Sequence, residues 1–333
     1  MLKRLLLLLV AVGLGGAIYT VWYIRTPVAF NKLPVEFDIS PGVGLRGAIR
    51  QLTAAGVRVG AWRFELLARV LGRAQDIKAG SYELVRPVTP RELLGKLTRG
   101  DVTQAEVKLI EGWTFRQFRL ALDQSTYLRH ETQGLANVQF MARIGASEPD
   151  PEGLFFPDTY LFAKGSTDVA VLRRSYRAMQ RHLAQEWAAR APNVPYLTPY
   201  EALIMASIIE KETGRPTERD LIAGVLVNRL RVGMRLQADP TVIYGLGEGF
   251  DGNLTKADLQ KDGPYNTYTR AGLPPTPIDM PSLASLRAAL QPAKTDALYY
   301  VSRGDGSSEF SRTLSDHNRA VTKYQILNRR RHE

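Results

Sequence analysis

Cysteine is absent from this 333-residue chain, which excludes disulfide bonds and thiolate metal sites and selects no compartment. Histidine is scarce, and the four present (His130, His182, His317 and His332) are scattered without an HExxH pair. No GxxxxGK[ST] loop or GxSxG elbow occurs, so nucleotide-phosphate and serine-hydrolase chemistries lack their usual sequence support. Acid is the minority charge, 33 residues against 44 basic ones, for a net charge of +11. That excess comes without a zinc-finger or RNA-recognition signature and without base-stacking aromatics set among the basic residues, so nucleic acid is not the expected partner. A basic surface beside an anionic membrane accounts for it equally well. What remains is acid–base chemistry by carboxylates, with no metal and no cofactor expected.

The chain has one long apolar run. Lys3 and Arg4 precede Leu5–Ile24, about 20 residues and long enough to span a bilayer. Tyr19, Trp22 and Tyr23 cluster at its far end as an interfacial aromatic belt would. A cleaved signal peptide would have an apolar stretch of about 7–15 residues and then a small-x-small site. This run is longer and ends Trp-Tyr-Ile-Arg, so an uncleaved anchor is expected over 5–24. Lys3, Arg4 and the α-amine against Arg25 and Lys32 place residues 1–4 in the cytoplasm and the body outside.

Residues 30–118 suggest a small α/β unit. VEFDI alternates like a strand, LRGAIRQLTAAG carries helical spacing up to Gly56, and AWRFELLARVLG predicts a second helix with Phe64, Leu67, Val70 and Leu71 on one side. AGSYELV alternates again, and TPRELLGKLTRG predicts a helix capped by Thr89, Pro90 and Glu92 that closes at Gly100. This β-α-α-β order resembles the sugar-binding LysM module; a plain spacer domain fits it as well. Residues 119–333 are expected to form a larger mixed domain, so the whole chain is expected to be α+β. Within it, EGLFFPDTYLF sets Glu152 and Asp158 among aromatics, and a polar-aromatic loop contains PYNTY.

Glu210 and Glu212 close the apolar stretch ASIIEKETG. Two residues apart on a helix, they point about 200° from each other. Counting back from Glu212 meets Ile209, Ile208 and Met205, whereas Glu210 meets Ser207, Ala206 and Leu203. Glu212 thus extends a bulky apolar face, where lost hydration raises a carboxyl pKa towards that of a general acid. It could equally end a core helix and reach solvent. Glycosidic cleavage usually takes two carboxylates, and Glu210, Glu152, Asp158 and Asp239 are the candidates for the second. If a sugar's own 6-hydroxyl attacks the anomeric carbon, one glutamate suffices, as acid and then as base.

MASIIEKET, VNRLRVGMRLQADPTVIYGLG, YNTYTRAGLPPTPI and EGLFFPDTYLF, in their positions along the chain, together resemble the bacterial YceG-like family of endolytic murein transglycosylases. The resemblance implies a single-pass inner-membrane protein with a LysM-like subdomain and a periplasmic catalytic domain over 119–333. The implied activity is non-hydrolytic cleavage of nascent peptidoglycan strands between N-acetylmuramic acid and N-acetylglucosamine, leaving 1,6-anhydro ends. It also implies that Glu212 is the catalytic acid and that Glu152, Asp239, Tyr265, Asn266 and Tyr268 surround the groove. Glu210 and Asp158 are counted with these as groove-lining acids. The implied partners are glycan strands, penicillin-binding proteins and inner-membrane lipid. A membrane-anchored glycan-binding scaffold without catalysis is the alternative.

Overall fold

A computed structural model describes residues 14–16 and 18–326. Residues 14–16 and 18–25 are helical (α1). Among the described residues no helix is long and apolar enough to cross a membrane. Much of the span expected over 5–24, all of residues 1–4 and the basic C-terminal end lie outside the described residues. The contacts divide the chain into two compact units. One runs to Glu106 and takes in Tyr127–Arg129 and Leu161–Ser166; the other takes Val107–Thr126, His130–Tyr160 and the chain from Thr167.

In the first unit, β1 (Ala29–Phe30) and β2 (Val35–Ile39) are followed by α2 (Leu45–Ala54), β3 (Val57–Arg58), α3 (Ala61–Val70), β4 (Gly80–Leu84) and α4 (Pro90–Arg99). β1 pairs with β3 and β2 with β4, both antiparallel, with Phe37 opposite Tyr82. Alternation along β2 and β4 turns Phe37, Ile39, Tyr82 and Leu84 inward, and the Phe37 and Tyr82 rings stack at 5.5 Å. Leu52, Phe64, Leu67, Leu93 and Leu97 complete that core. α4 begins with the predicted capping box: Thr89 accepts from the Glu92 N–H, and the Glu92 carboxylate accepts in return from the Thr89 N–H. Gly100 ends it in the left-handed conformation, φ 76°.

The inward face of α3 differs from expectation. Phe64, Leu67 and Ala68 are buried, but Val70 is 75% exposed and Leu71 43%. At 100° per residue Val70 lies about 60° past Leu67, on the outer side of the buried arc, and Leu71 follows as the helix ends.

β5 (Gln104–Lys108) pairs with β6 (Thr159–Ala163). The second unit is mainly helical: α5 (Phe115–Asp123), α6 (Asn137–Ile144), α7 (Asp168–Ala188), α8 (Pro199–Glu212), α9 (Arg219–Arg231), α10 (Asp239–Leu246), α11 (Lys256–Gln260), α12 (Leu283–Leu290) and α13 (Leu314–Val321). β7 (Tyr299–Ser302) and β8 (Ser308–Ser311) form an antiparallel pair. Small antiparallel strand pairs set among helices make the molecule α+β.

α8 is the axis of this unit. The Thr198 side chain caps it by accepting from the Glu201 N–H, and Pro199 takes the first turn, where no N–H is needed. Every residue from Ala202 to Ile209 is buried, and the helix packs on α7, α9, α10 and α12. A helix enclosed on all sides is apolar all round, and the one polar exception is satisfied. Ser207 Oγ donates to the Ile204 carbonyl at 2.7 Å and accepts from the Ile278 N–H at 3.0 Å. Gly224 lets α9 approach the 293–295 segment, since a Cβ there would meet the Ala293 carbonyl oxygen at 2.6 Å.

Candidate active site

The last turn of α8 sends its two acids to different walls. Glu210 Oε2 accepts from the Ser282 N–H at 2.9 Å and from Ser282 Oγ at 2.5 Å. Ser282 caps α12, and its Oγ also accepts from the Ser285 N–H at 3.2 Å. Glu210 therefore fastens the end of α8 to the start of α12.

Glu212 faces β7. Its Oε2 accepts from the Tyr300 hydroxyl at 2.7 Å, and its Oε1 receives no hydrogen bond from any described residue. The side chain keeps a partial opening to solvent. Loss of hydration is the main influence on its carboxyl and pushes its pKa from 4.5 up to about 7. The Tyr300 hydrogen bond and the Arg229 charge oppose that rise, while the negative charge of Asp239 adds to it.

Three further elements close around this carboxyl. Arg229, from α9, is buried and donates through Nε to the Leu298 carbonyl at 2.7 Å and through Nη1 to the Leu236 carbonyl at 2.6 Å. Its guanidinium lies 5.5 Å from the centre of the Tyr299 ring. Asp239 opens α10 and accepts from the Tyr268 hydroxyl. The turn before it holds Gln237 at φ 49°, the only described non-glycine residue in the left-handed region, a conformation costing about 1–3 kcal/mol. Thr267 braces that turn: its carbonyl accepts from the Gln237 N–H at 3.1 Å and its Oγ1 accepts from the Ala238 N–H at 3.0 Å.

The other side of α10 borders a cleft of about 780 Å³, lined by Glu152, Lys211, Ile243, Tyr244, Tyr265 and Ile278 among others. Glu152 is only 5% exposed, and both of its oxygens are engaged. Oε1 accepts from the Phe115 N–H at 2.9 Å, the first amide of α5, and Oε2 accepts from the Tyr244 hydroxyl at 3.0 Å. Burial nevertheless lifts its pKa to about 7. Tyr244 meets Tyr265 edge-on at 4.9 Å, and the Tyr265 hydroxyl pairs with Thr276 Oγ1 at 2.8 Å. A Cβ on Gly245 would meet Tyr265 Cβ at 3.1 Å, so glycine sets that close approach. Beside Ile278, Asp279 is wholly buried with neither carboxylate oxygen hydrogen-bonded. Burial pushes its pKa well up, against the pull of the Lys211 charge. Among the described residues, no group of three or more His, Asp or Glu side chains is placed to hold a metal ion.

The sequence profile of the YceG-like family matches residues 37–323. The chain belongs to the YceG-like family. The endolytic murein transglycosylase of Bacillus subtilis is 30% identical to it over 329 residues, covering 93% of this chain and 91% of that protein. The Streptococcus pneumoniae D39 protein of the same name is 28% identical across 96% of this chain, which spans 63% of that relative's length. A crystal structure of a YceG-like protein from Listeria monocytogenes aligns with a TM-score of 0.54 at 29% identity, over 86% of this chain and 98% of that one.

In this YceG-like chain the residues singled out from the sequence fall into four places. Glu212, Asp239 and Tyr268 gather around one carboxyl, and Glu152 and Tyr265 line the cleft across α10. Glu210 and Asn266 are braces. The Asn266 amide donates to the carbonyls of Asp258, Leu259 and Lys261, and its oxygen accepts from the Tyr268 N–H at 2.8 Å. Asp158 is exposed just before β6, where its carboxylate accepts from the Thr159 N–H at 2.7 Å; no hydrogen bond joins it to the other seven residues. Sequence reasoning missed Tyr300, Arg229, Tyr244 and Asp279. Tyr300 carried a faint signal, because the alternation of ALYYVS predicts a strand but not which tyrosine turns towards α8.

Proposed function

We propose that this YceG-like protein is an endolytic murein transglycosylase, a lyase that cuts peptidoglycan glycan strands between N-acetylmuramic acid and N-acetylglucosamine. The observation that carries the reading is the Glu212 carboxyl, lifted to about 7, bonded through one oxygen to Tyr300 and without a hydrogen bond at the other. Glu152 is lifted equally, but it is closed off and both of its oxygens are taken, so it is the weaker candidate for proton transfer.

A carboxyl poised near neutrality can serve as acid and then as base. Protonated Glu212 gives its proton to the glycosidic oxygen as the bond from that oxygen to the muramoyl anomeric carbon breaks, and the bonding pair leaves with the oxygen. The muramoyl 6-hydroxyl then bonds to the anomeric carbon and returns its proton to the Glu212 carboxylate. No water is consumed, and the product ends in a 1,6-anhydro ring. Tyr300 steadies the carboxylate between the two transfers through its hydrogen bond. The negative charge of Asp239 suits the oxocarbenium character of the transition state.

The proposal includes an inner-membrane anchor over 5–24 with a cytoplasmic N-terminus, a LysM-like subdomain over 30–118 and a periplasmic catalytic domain over 119–333. Glycan-polymerising penicillin-binding proteins would supply the strands. Incubating the full chain with murein and weighing the products by mass spectrometry tests the reaction. Anhydro-ended fragments that disappear in Glu212→Gln are expected. Equal cleavage by that variant overturns the residue assignment, and reducing ends make the protein a hydrolase. No cleavage by the wild-type chain leaves a glycan-binding scaffold.

A further inference from the structure

α3 carries an apolar row that the core of the first unit does not use. Trp62, Leu66 and Val70 repeat at four-residue spacing on the side away from Phe64, Leu67 and Ala68, and they are 63%, 53% and 75% exposed. Arg69 lies within the same helical arc and is exposed, and Arg63 borders it. The one acid on that side, Glu65, is ion-paired to Arg46 and Arg69. The row therefore combines Trp, Leu and Val with two flanking arginines, the composition of a helix lying in a bilayer interface.

Its position gives the row its occupant. The end of α1 is tied to the start of α3: the Tyr23 hydroxyl donates to the Val59 carbonyl at 2.5 Å, and Tyr23 and Ile24 pack on the core. The Arg63 guanidinium lies 5.4 Å from the Tyr19 ring, 5.9 Å from Tyr23 and 5.5 Å from Trp62. One cation thus links the aromatic end of α1 to the first residue of the apolar row. Ile18, Val21 and Trp22 of α1 are exposed as well. Tyrosine and tryptophan settle at the headgroup level, and arginine reaches phosphates while its stem stays apolar.

We propose that the Trp62–Leu66–Val70 face of α3, flanked by Arg63 and Arg69, docks onto the anionic phospholipid surface where α1 leaves the bilayer. The proposal rests on the anchor described above. Docking holds the first unit against the membrane instead of leaving it to swing on α1. The row then needs no protein partner.

The cysteine-free chain suits site-directed spin labelling. Nitroxides at Ile18→Cys, Leu66→Cys and Val138→Cys are compared in full-length protein in nanodiscs of phosphatidylglycerol and phosphatidylcholine. The reading is relative collision with oxygen, which concentrates in lipid, and with a water-soluble nickel chelate. Val138 is an exposed apolar residue of α6, in the second unit, and serves as the water reference. The expected result is a several-fold higher oxygen-to-nickel ratio at Leu66 than at Val138, falling when Arg63 and Arg69 are changed together to Gln. A lipid-like ratio at Ile18 with a water-like one at Leu66 overturns the docking and leaves the anchor standing. A water-like ratio at Ile18 overturns the anchor itself. Shielding of Leu66 from both reagents with spin–spin broadening assigns the row to a second copy of this chain and also overturns lipid docking.

Discussion

Replacing Glu212 by Gln should remove activity and, at alkaline pH, make the protein more stable. The carboxyl is held at about 7 against an ordinary 4.5, chiefly because burial strips its hydration. The folded chain therefore binds this proton more tightly than the unfolded chain. Stability from the group is complete below pH 4.5 and is lost as pH rises through about 7. The full loss would be about 3 kcal/mol. The partial opening to water screens the charge, so about 1–1.5 kcal/mol is the sounder expectation. Gln keeps an acceptor for the Tyr300 hydroxyl and carries no charge to desolvate. For a folded unit of this size that gain raises Tm by roughly 2–6 °C at pH 8 and by about nothing at pH 4. Scanning calorimetry of both full-length proteins at the two pH values measures it. A shift of equal size at both pH values, or a lower Tm for the variant at pH 8, would refute a desolvated, charged Glu212.

Tyr300→Phe removes the hydrogen bond that favours the charged form of Glu212, so the alkaline limb of the kcat/KM profile should move up by about one pH unit. An unmoved limb would detach Tyr300 from the proton transfer. Glu210→Gln should retain measurable cleavage and cost about 1 kcal/mol, since a neutral acceptor replaces the carboxylate on Ser282; complete loss of activity in a folded variant would contradict a bracing role. Ser207→Ala leaves the buried Ile278 N–H without its acceptor and should cost about 1–3 kcal/mol in urea unfolding. Gln237→Gly should relieve the left-handed backbone and stabilise by about 1 kcal/mol; no gain would mean that the Thr267 brace already offsets the strain.

The first unit was legible because its signals are local. Thr89, Pro90 and Glu92 make a cap within four residues, and alternating side chains set β2 and β4. The two acids of α8 were legible only in part. Helical spacing correctly sends them apart, but the contrast between an apolar and a mixed face does not survive, because Ala202–Ile209 are buried on every side. What separates the acids is what each one meets. Ser282 is 72 residues beyond Glu210 and Tyr300 is 88 beyond Glu212, distances at which a single sequence carries no pairing signal. The amide of Asn266 likewise resembles a sugar ligand until its loop closes. Its hydrogen bonds then prove to be taken by carbonyls five to eight residues away.

The end of α8 gathers several energetic costs in one place. Within three residues it carries Glu210, Lys211 and Glu212, and each faces a different surrounding. Glu210 is spent on the cap of α12, Lys211 reaches the cleft beside the orphaned Asp279, and Glu212 sits desolvated against Tyr300. Across from it the backbone at Gln237 is strained to present Asp239. A core helix selected for stability alone would not end this way, since the desolvated Glu212, the orphaned Asp279 and the strained Gln237 are each unfavourable by themselves. They can coexist because the buried stretch from Ala202 to Ile209 and the Ser207 and Glu210 hydrogen bonds fix the helix on both sides. Rigidity at Glu210 and instability at Glu212 are therefore parts of one arrangement. The first acid holds the turn in place, and the second keeps one oxygen without a hydrogen bond and a carboxyl whose pKa burial lifts to about 7.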